Sequence, residues 1–216
     1  MDTFGNRVAI LVSGGIDSTV LLYRLINEGY EVTPVYINYG QNSQCGELSA
    51  IKSIMDSCLF EKLVEIDFPE ARKLGKGSLV GEYPSEVGKT EHWFQAEFFP
   101  NRNMILISLA AAYCYKIGIS TIAIGVVGKQ SYSDTTKAFI EAMNAALSIS
   151  LGNFSIIAPY VEKSRTIVVK DAVKYNVPVE KTFSCNSVGD RHCNYCISCF
   201  ERERVIKRVH LLRKKR

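Results

Sequence analysis

The stretch Val8-Ala-Ile-Leu-Val-Ser-Gly-Gly-Ile-Asp-Ser-Thr-Val20 joins an apolar run typical of a strand to an apolar helical pattern through one short loop. A helix that begins directly after such a loop presents unpaired backbone N–H groups to whatever lies above its first turn. Gly14 and Gly15 have no Cβ, so an anion can approach the backbone closely, and Ser13 and Ser18 add hydroxyl donors. The stretch therefore predicts a nucleotide phosphate site. Because no Gly-Lys-Ser/Thr follows, it is not a Walker loop.

Asp17 adds a carboxylate to this loop, which suits a phosphate site when a divalent metal lies between the two. The loop resembles the SGGxDS signature of the ATP pyrophosphatases, the PP-loop family. Those enzymes cleave ATP between the α- and β-phosphates and adenylate a carbonyl or carboxyl oxygen. The alternative is an ordinary strand–turn–helix connection with a tight glycine turn. The resemblance implies an ATP site made of Leu11, Val12, Ser13, Gly14, Gly15, Ile16, Asp17, Ser18 and Thr19.

Length and composition suit one α/β domain over residues 1–216, because 216 residues can bury a sizeable core. No apolar run approaches the ~20 residues that a membrane span needs, and no signal-type segment opens the chain. We therefore expect a cytoplasmic protein without a membrane partner. Much of the net charge of +4 lies in the basic run after residue 201. That run suits either a solvated helix tail or contact with RNA or another phosphate-bearing partner.

Four of the seven cysteines form the pattern C-x7-C-x2-C-x2-C at Cys185, Cys193, Cys196 and Cys199. Two overlapping C-x2-C steps bring three thiolates together, and the fourth can fold back from the preceding loop. Four protein ligands make the tetrahedral sulfur cage of structural Zn²⁺ and leave no open position for catalysis. An iron–sulfur cluster is the alternative. The segment 183–216 is thus predicted to be a zinc-binding C-terminal segment.

The rest of the chain alternates strand and helix patterns, which predicts a doubly wound parallel sheet. Ligands of such folds bind beyond the carboxyl ends of the strands, where the Ser13 loop, Tyr39-Gly40-Gln41 and Arg102-Asn103 should meet. Residues 69–100 have weak periodicity and are expected to be a functional or mobile insertion. The predicted strands are 8–12, 31–37, 62–66, 121–125 and 155–158, and the predicted helices are 18–28, 47–57, 104–117, 136–147 and 165–175.

The whole chain is similar to the 7-cyano-7-deazaguanine synthase family, whose motifs recur in order along it. The matching segments are Tyr39-Gly40-Gln41 with Glu47-Leu48, Pro100-Asn101-Arg102-Asn103, Tyr132-Ser133-Asp134-Thr135 before the helical run 139–147, and Ser184-Cys185 before the cysteine motif. The resemblance implies a PP-loop fold of the adenine nucleotide α-hydrolase type and a homodimer. It also implies a ligase that converts 7-carboxy-7-deazaguanine, ammonia and ATP into the nitrile 7-cyano-7-deazaguanine, a queuosine precursor.

The expected chemistry assigns roles to charged residues. A carboxylate becomes an electrophile only after adenylation, and the departing pyrophosphate needs backbone N–H groups, Mg²⁺ and a cation. We expect Gly14, Gly15 and Ser18 to bind phosphates and Asp17 to hold Mg²⁺. Arg102 or Arg165 would stabilise the departing pyrophosphate.

A second set of residues is expected to bind the deazaguanine: Tyr39, Gln41, Arg102, Asn103, Tyr132 and Asp134. Asp134 would accept two hydrogen bonds from the guanine-like edge, and Tyr132 could stack on the ring. The alternative for Asp134 is a helix N-cap, although Thr135 or Thr136 could serve as the cap instead.

Three departures from the family pattern lie around the expected substrate: Asn42-Ser43 after the YGQ match, Asn101 inside PNRN, and the altered segment Gly125–Gln130. They leave two alternatives open. One is a relative that adenylates the same carboxylate and attaches it to an amine of a protein partner, as in anti-phage defence systems. The other is a nucleotide-binding zinc module without catalysis, which the intact Ser13–Ser18 loop argues against.

Overall fold

The structure is a computed structural model that describes residues 6–58, 62–81, 99–128 and 132–215. The longer elements within those ranges alternate between strands and helices along most of the chain. They are β1 (Arg7–Leu11), α1 (Ile16–Asn27), β2 (Glu31–Asn38), α2 (Gln44–Cys58), β3 (Val64–Asp67), α3 (Arg102–Lys116), β4 (Thr121–Ala123), α4 (Lys137–Leu151), β5 (Ser155–Ile157), α5 (Arg165–Lys174) and α6 (Ile197–Arg213).

The five strands form one sheet in the order β3-β2-β1-β4-β5, and every neighbouring pair is parallel. The predicted doubly wound parallel sheet is therefore confirmed. The chain moves outward on one side of β1 to β2 and β3, then returns to the other side for β4 and β5. This reversal places a crevice at the carboxyl ends of β1 and β4, where ligands of such sheets bind.

Both faces of the sheet are covered, which explains why β1 is apolar throughout. Val8 and Ile10 pack into one core with α1, α5 and α6, whereas Ala9 points to the opposite core with α3 and α4. Alternate residues of a strand point to opposite faces, so a strand between two helical layers needs apolar residues at every position.

Most predicted elements are present, with ends shifted by a few residues. Helix α1 begins at Ile16, two residues before its predicted start, because Gly15 takes the extended N-cap conformation. Helix α4 is capped by Thr136, whose hydroxyl accepts a hydrogen bond from the N–H of Phe139 at 3.2 Å. The expected alternative cap at Thr136 is thus the one that the structure uses.

The basic C-terminal run forms helix α6, and its two sides differ. Val205 and Val209 are buried against the core, whereas Lys207 and Arg208 are exposed. The run is a helix with exposed basic residues, as the interpretation as a solvated helix tail expected, but its other face packs against the core. In the described residues, no helix is long and apolar enough to cross a membrane.

The insertion 69–100 is described in part. Its first residues form two short 3₁₀ turns, Pro69–Leu74 and Gly77–Leu79. Leu79 and Val80 pack with Tyr39 and Phe99 in a small third cluster beside the sheet. The remainder of the insertion, residues 82–98, lies outside the described residues.

Candidate functional site

The loop between β1 and α1 is held between two other parts of the chain. Gly14 has a φ of +69°, and a Cβ at this position would lie 2.8 Å from the carbonyl oxygen of Glu47 in α2. On the other side, the N–H of Phe183 donates to the carbonyl of Gly14 at 2.8 Å. Both the left-handed backbone and the close approach of α2 require glycine here.

The hydroxyl groups of the loop face each other above the first turn of α1. Ser13 Oγ and Ser18 Oγ are 3.2 Å apart, and the backbone N–H of Ser13 donates to Ser18 Oγ at 3.3 Å. Thr19 instead donates to the carbonyl of Gly15 at 2.7 Å. The carboxyl end of β4 closes the loop from the side, since a Cβ on Gly125 would lie 2.9 Å from the backbone nitrogen of Ser18.

Two charged residues expected to work on the same phosphates, Asp17 in the first turn of α1 and Arg165 at the start of α5, form an ion pair. They are 148 positions apart in the sequence. Burial raises the pKa of the Asp17 carboxyl above its ordinary value, and the guanidinium of Arg165 opposes that rise. The pair places one negative and one positive group beside the Ser13–Ser18 hydroxyls.

A cavity of about 830 Å³ opens at the carboxyl ends of β1 and β4. This volume lies in the range of small-molecule pockets. The structure brings most of the sequence-predicted site residues to its wall: Leu11, Val12, Ser13, Gly15, Ile16, Asp17, Ser18, Tyr39, Gln41, Arg102, Asn103, Tyr132 and Arg165. Gly14 and Thr19 do not line the cavity and support the loop from behind. The first four residues of the segment Gly125–Gln130, which departs from the family pattern, also line the cavity.

Asp134 is the one predicted substrate-binding residue that does not line the cavity among the described residues. Its carboxylate accepts a hydrogen bond from the backbone N–H of Asn103 at 3.0 Å, and its carbonyl accepts one from the Asn103 side chain at 2.9 Å. Asp134 thus supplies an acceptor to the N-terminus of α3, while Asn101 takes a left-handed conformation just before that helix. The Asp134 carboxylate therefore does cap a helix, but the helix is α3, whose residue Asn103 lies 31 positions earlier in the sequence, and not α4, which follows Asp134.

A buried polar group beside Arg102 was missed as a functional element. Glu47, in the first turn of α2, accepts hydrogen bonds from Tyr36, Gln41 and Ser43 at 2.8–2.9 Å. Burial raises the pKa of Glu47, although these three donors and Arg102 oppose the rise. The signal in the sequence was the Glu47-Leu48 pair that follows Tyr39-Gly40-Gln41 after a short interval and matches the family pattern.

The C-terminal segment provides a further wall that the sequence analysis did not predict. Ser198, Glu201 and Arg202 of α6 line the cavity together with Ser184 and Asn186. Arg202 donates to the Thr182 carbonyl at 2.8 Å and to the Glu180 carbonyl at 2.8 Å, which fastens α6 to the segment after α5. The cavity is thus enclosed from both ends of the chain.

The four cysteines of the C-x7-C-x2-C-x2-C pattern converge on one point. All their sulfur atoms lie within 4.8 Å of one another, and those of Cys193 and Cys199 are 3.9 Å apart. A tetrahedral ZnS₄ centre with Zn–S bonds of about 2.3 Å has sulfur atoms roughly 3.8 Å apart, so the cluster fits such an ion with little movement. Although burial opposes it, hydrogen bonds from Ser187 and Cys193 lower the pKa of Cys185 to about 7, whereas burial raises the pKa of Cys193 and of Cys199.

The chain matches known proteins over nearly its whole length. The family described as "Queuosine biosynthesis protein QueC" matches residues 7–210. A 7-cyano-7-deazaguanine synthase of Desulfitobacterium hafniense is 50% identical over 203 residues, which cover 94% of this chain and 92% of the relative. The enzyme of the same name from Nautilia profundicola is 36% identical over 199 residues, covering 89% of this chain and 90% of its own.

Among solved structures, the chain resembles a 4-thiouridine synthetase that was determined with RNA and bound ATP. The TM-score is 0.54 at 15% sequence identity, and the match covers 98% of this chain and 53% of that chain. At this identity the likeness shows the fold alone, and it confirms the predicted PP-loop class of sheet. Given the family match over residues 7–210 and the 50% identity, the chain belongs to the queuosine biosynthesis protein QueC family, whose relatives are 7-cyano-7-deazaguanine synthases.

Proposed function

We propose that this chain is a 7-cyano-7-deazaguanine synthase: a ligase that spends ATP to join ammonia to 7-carboxy-7-deazaguanine and produce the nitrile. The observation that supports this most is the 50% identity to a synthase over 94% of the chain. The cavity agrees with it, because a phosphate-type loop, three arginines and several aromatic side chains share one space. Neither the conjugation of deazaguanine to a macromolecule nor a non-catalytic zinc module has an observation in its favour.

The Ser13–Ser18 loop is the proposed ATP site. Gly15 permits close approach of the phosphates to the start of α1, and the hydroxyls of Ser13 and Ser18 add donors on the cavity side. Gly14 and Thr19 act indirectly, by fixing the backbone of the loop. Leu11, Val12 and Ile16 form the apolar part of the same wall.

Asp17 is the proposed Mg²⁺ ligand, since it is a carboxylate on the cavity wall beside the phosphate loop. When bound, Mg²⁺ offsets the charge that develops on pyrophosphate. Arg165, which contacts Asp17, and Arg102, at the start of α3, are the proposed cations for the same charge. Burial would lower the pKa of Arg102, but the neighbouring Tyr39 and Asp134 outweigh that effect, so the guanidinium stays charged.

The deazaguanine is proposed to lie on the wall formed by Tyr39, Gln41, Asn103 and Tyr132. Asp134 is proposed to meet its guanine-like edge through the carboxylate oxygen that does not accept the Asn103 hydrogen bond. In this arrangement the carboxyl group to be activated points toward the phosphate loop, and the purine points toward α3.

The reaction then runs through two activations. A carboxylate oxygen attacks the α-phosphorus of ATP, pyrophosphate leaves, and the acyl adenylate forms. Ammonia attacks the acyl carbon, AMP leaves with the electron pair of the C–O bond, and the amide results. A second ATP adenylates the amide oxygen, and loss of AMP and the remaining nitrogen protons gives the nitrile. The backbone donors and arginines stabilise each departing phosphate.

The remaining parts of the proposal concern assembly. The four clustered cysteines are proposed to hold one structural Zn²⁺ in preference to an iron–sulfur cluster, because four thiolates complete its tetrahedral shell. We also propose one functional domain over 1–216, a homodimer and a cytoplasmic location.

Product analysis tests this function. The purified protein is incubated with ATP, Mg²⁺, ammonia and 7-carboxy-7-deazaguanine, and the products are separated by chromatography and mass. We expect AMP, pyrophosphate and the nitrile, at two AMP per nitrile. The appearance of ADP and phosphate alone would contradict the PP-loop chemistry. Formation of AMP without amide or nitrile would contradict the synthase.

A further inference from the structure

The carboxylate of Glu47 has no role in the chemistry proposed so far, yet it lies on the wall of the cavity. Oε2 accepts hydrogen bonds from the Tyr36 hydroxyl and the Gln41 amide, and Oε1 accepts one from Ser43. An ionised carboxylate offers about four acceptor positions. Three of them are accounted for by side chains among the described residues, and one position on Oε1 remains for a donor in the cavity.

Its three partners are themselves fixed, so the carboxylate is held in one orientation. Gln41 donates to the Tyr36 hydroxyl at 2.8 Å and accepts from the N–H of Tyr39 at 2.9 Å. Tyr36, Gln41 and Ser43 are all buried. Glu47 lies in the first turn of α2, and its backbone carbonyl packs against Gly14, so this group is anchored directly against the phosphate loop.

Nitrogen chemistry in this cavity needs a proton acceptor. Ammonia exists mostly as ammonium at neutral pH, and ammonium has no lone pair to attack with. After attack on an acyl carbon, the nitrogen carries a positive charge until it loses a proton. A general base that is positioned within hydrogen-bond reach contributes roughly 10²–10⁴-fold to such a step.

The other carboxylates of the cavity wall are engaged elsewhere. Asp17 is paired with Arg165. Glu201 is half-exposed and accepts from Arg204 at 2.8 Å. Asp134, just outside the wall, binds the N-terminus of α3. Among the described carboxylates of the cavity wall, only Glu47 accepts its side-chain hydrogen bonds from neutral donors alone; Arg102 acts on it through its charge, and no hydrogen-bonded cation must be displaced before it takes a proton.

We propose that Glu47 is the general base of nitrogen transfer; the proposal rests on the proposed synthase function. Glu47 receives ammonium in the cavity and takes its proton, which leaves ammonia. The nitrogen lone pair forms the C–N bond while the C–O bond to AMP breaks, and AMP leaves with that electron pair. Once Glu47 has passed the first proton to solvent, it takes one proton from the positively charged nitrogen, and the neutral amide remains.

The test separates adenylation from nitrogen transfer in Glu47→Gln. Without ammonia, the variant and the wild type are given ATP, Mg²⁺ and 7-carboxy-7-deazaguanine, and pyrophosphate is measured in a single turnover. We expect the two rates to agree within about threefold, because no nitrogen is involved. With ammonia, we expect amide and nitrile formation to fall by roughly 10²–10⁴-fold.

Hydroxylamine supplies the readout that a structural role would not change. It is largely unprotonated at neutral pH, so it attacks the adenylate without a base to release its lone pair. We expect hydroxamate formation by Glu47→Gln to fall much less than amide formation does, because only the proton transfer after attack still needs a base. We expect Glu47→Asp to retain part of the ammonia reaction. The control Glu31→Gln makes the same change at an exposed position of β2 and should leave both reactions unchanged.

Three results would overturn the proposal. In the first, Glu47→Gln loses adenylation and nitrogen transfer in parallel, which would make Glu47 a support of the loop. In the second, the variant transfers nitrogen from ammonia at the wild-type rate. In the third, the wild type itself forms no adenylate, which would refute the proposed function and is visible before any variant is made.

Discussion

The two ends of the chain build opposite walls of one cavity, and they differ in how openly the sequence displays them. The N-terminal wall comes from one short stretch, residues 11–18 without Gly14, whose spacing alone indicates a phosphate site. The C-terminal wall consists of Ser184, Asn186 and one side of α6, where the cysteine spacing indicates a metal site but does not indicate a cavity. The loop forms its part of the site with its own backbone, whereas the position of the second wall depends on the cysteine cluster and the core.

The difference shows that the cysteine cluster and the cavity are coupled. Cys185 is a member of the cysteine cluster and also lines the cavity. Cys196 caps α6, and Cys199 lies in its first turn, so the cluster fixes the start of that helix. The start of the helix in turn determines where Ser198 and Glu201 lie on the cavity wall. A structural ion here would determine the shape of the substrate site without contacting the substrate.

The largest expected effect belongs to the N-terminal wall. Asp17→Asn removes the negative charge that pairs with Arg165 and that is proposed to hold Mg²⁺. We expect AMP formation to fall by at least about 10³-fold, because the developing pyrophosphate charge loses its counter-ion. The thermal midpoint should change by only a few degrees. Asp56→Asn, an exposed change in α2, should retain full activity in the same assay.

If Asp17→Asn still formed AMP at the wild-type rate, the role given to the N-terminal wall would be contradicted. It would mean that the loop binds ATP without help from this carboxylate.

The cysteine cluster should give the next largest effect. Cys199→Ser removes one thiolate, and because metal binding contributes directly to folding, we expect the unfolding free energy to fall by at least about 5 kcal/mol. For a chain of this size, that corresponds to a drop in thermal midpoint of roughly 10–20 °C. Cys45→Ser, at an exposed cysteine outside the cluster, is the control and should change neither quantity.

Elemental analysis completes the cysteine test. One zinc per chain is expected in the wild type, and less than one in Cys199→Ser. Stoichiometric iron would contradict the zinc assignment, and a metal-depleted variant with unchanged affinity for the carboxylate ligand would contradict the coupling of cluster and cavity.

How far the sequence predicts the structure follows the same division. The β1 stretch has the apolar pattern of a strand buried on both faces, and α1 shows helical periodicity after Gly15, so both could be located from local pattern. The strand order could not, because it depends on which strands pair across long connections. The role of Asp134 at the start of α3 was equally hidden, since its partner Asn103 lies 31 residues earlier.

A third prediction concerns the contact between the loop and α2. Gly14→Ala places a methyl group 2.8 Å from the Glu47 carbonyl oxygen and forces alanine into a φ of +69°. We expect the unfolding free energy to fall by about 2 kcal/mol, the order of left-handed strain plus local displacement of α2. Affinity for ATP should fall with it, because the loop must shift.

The matched control for this contact is Gly29→Ala, at a glycine with a φ of +84° and nothing within 4 Å of the added methyl group. It shares the backbone strain but not the clash, so the difference between the two variants, measured by chemical denaturation, isolates the contact. Equal losses would show that α2 yields freely to the loop.

The smallest expected effect concerns Asp134, where the two interpretations of one carboxylate can be separated. Asp134→Asn keeps an oxygen for the N–H of Asn103, so the start of α3 should be preserved and the thermal midpoint unchanged. The substitution replaces the other acceptor with a donor that would face the guanine-like edge, and we expect binding of 7-carboxy-7-deazaguanine to weaken by about 1–3 kcal/mol. Calorimetric titration measures that loss directly.

Asp134→Ala removes both acceptors, so it should lower the affinity similarly and also cost about 0.5–2 kcal/mol of stability through the lost cap. If Asp134→Asn binds as tightly as the wild type and only Asp134→Ala is less stable, the carboxylate serves α3 alone and the guanine edge is recognised by the wall around Tyr132 and Asn103.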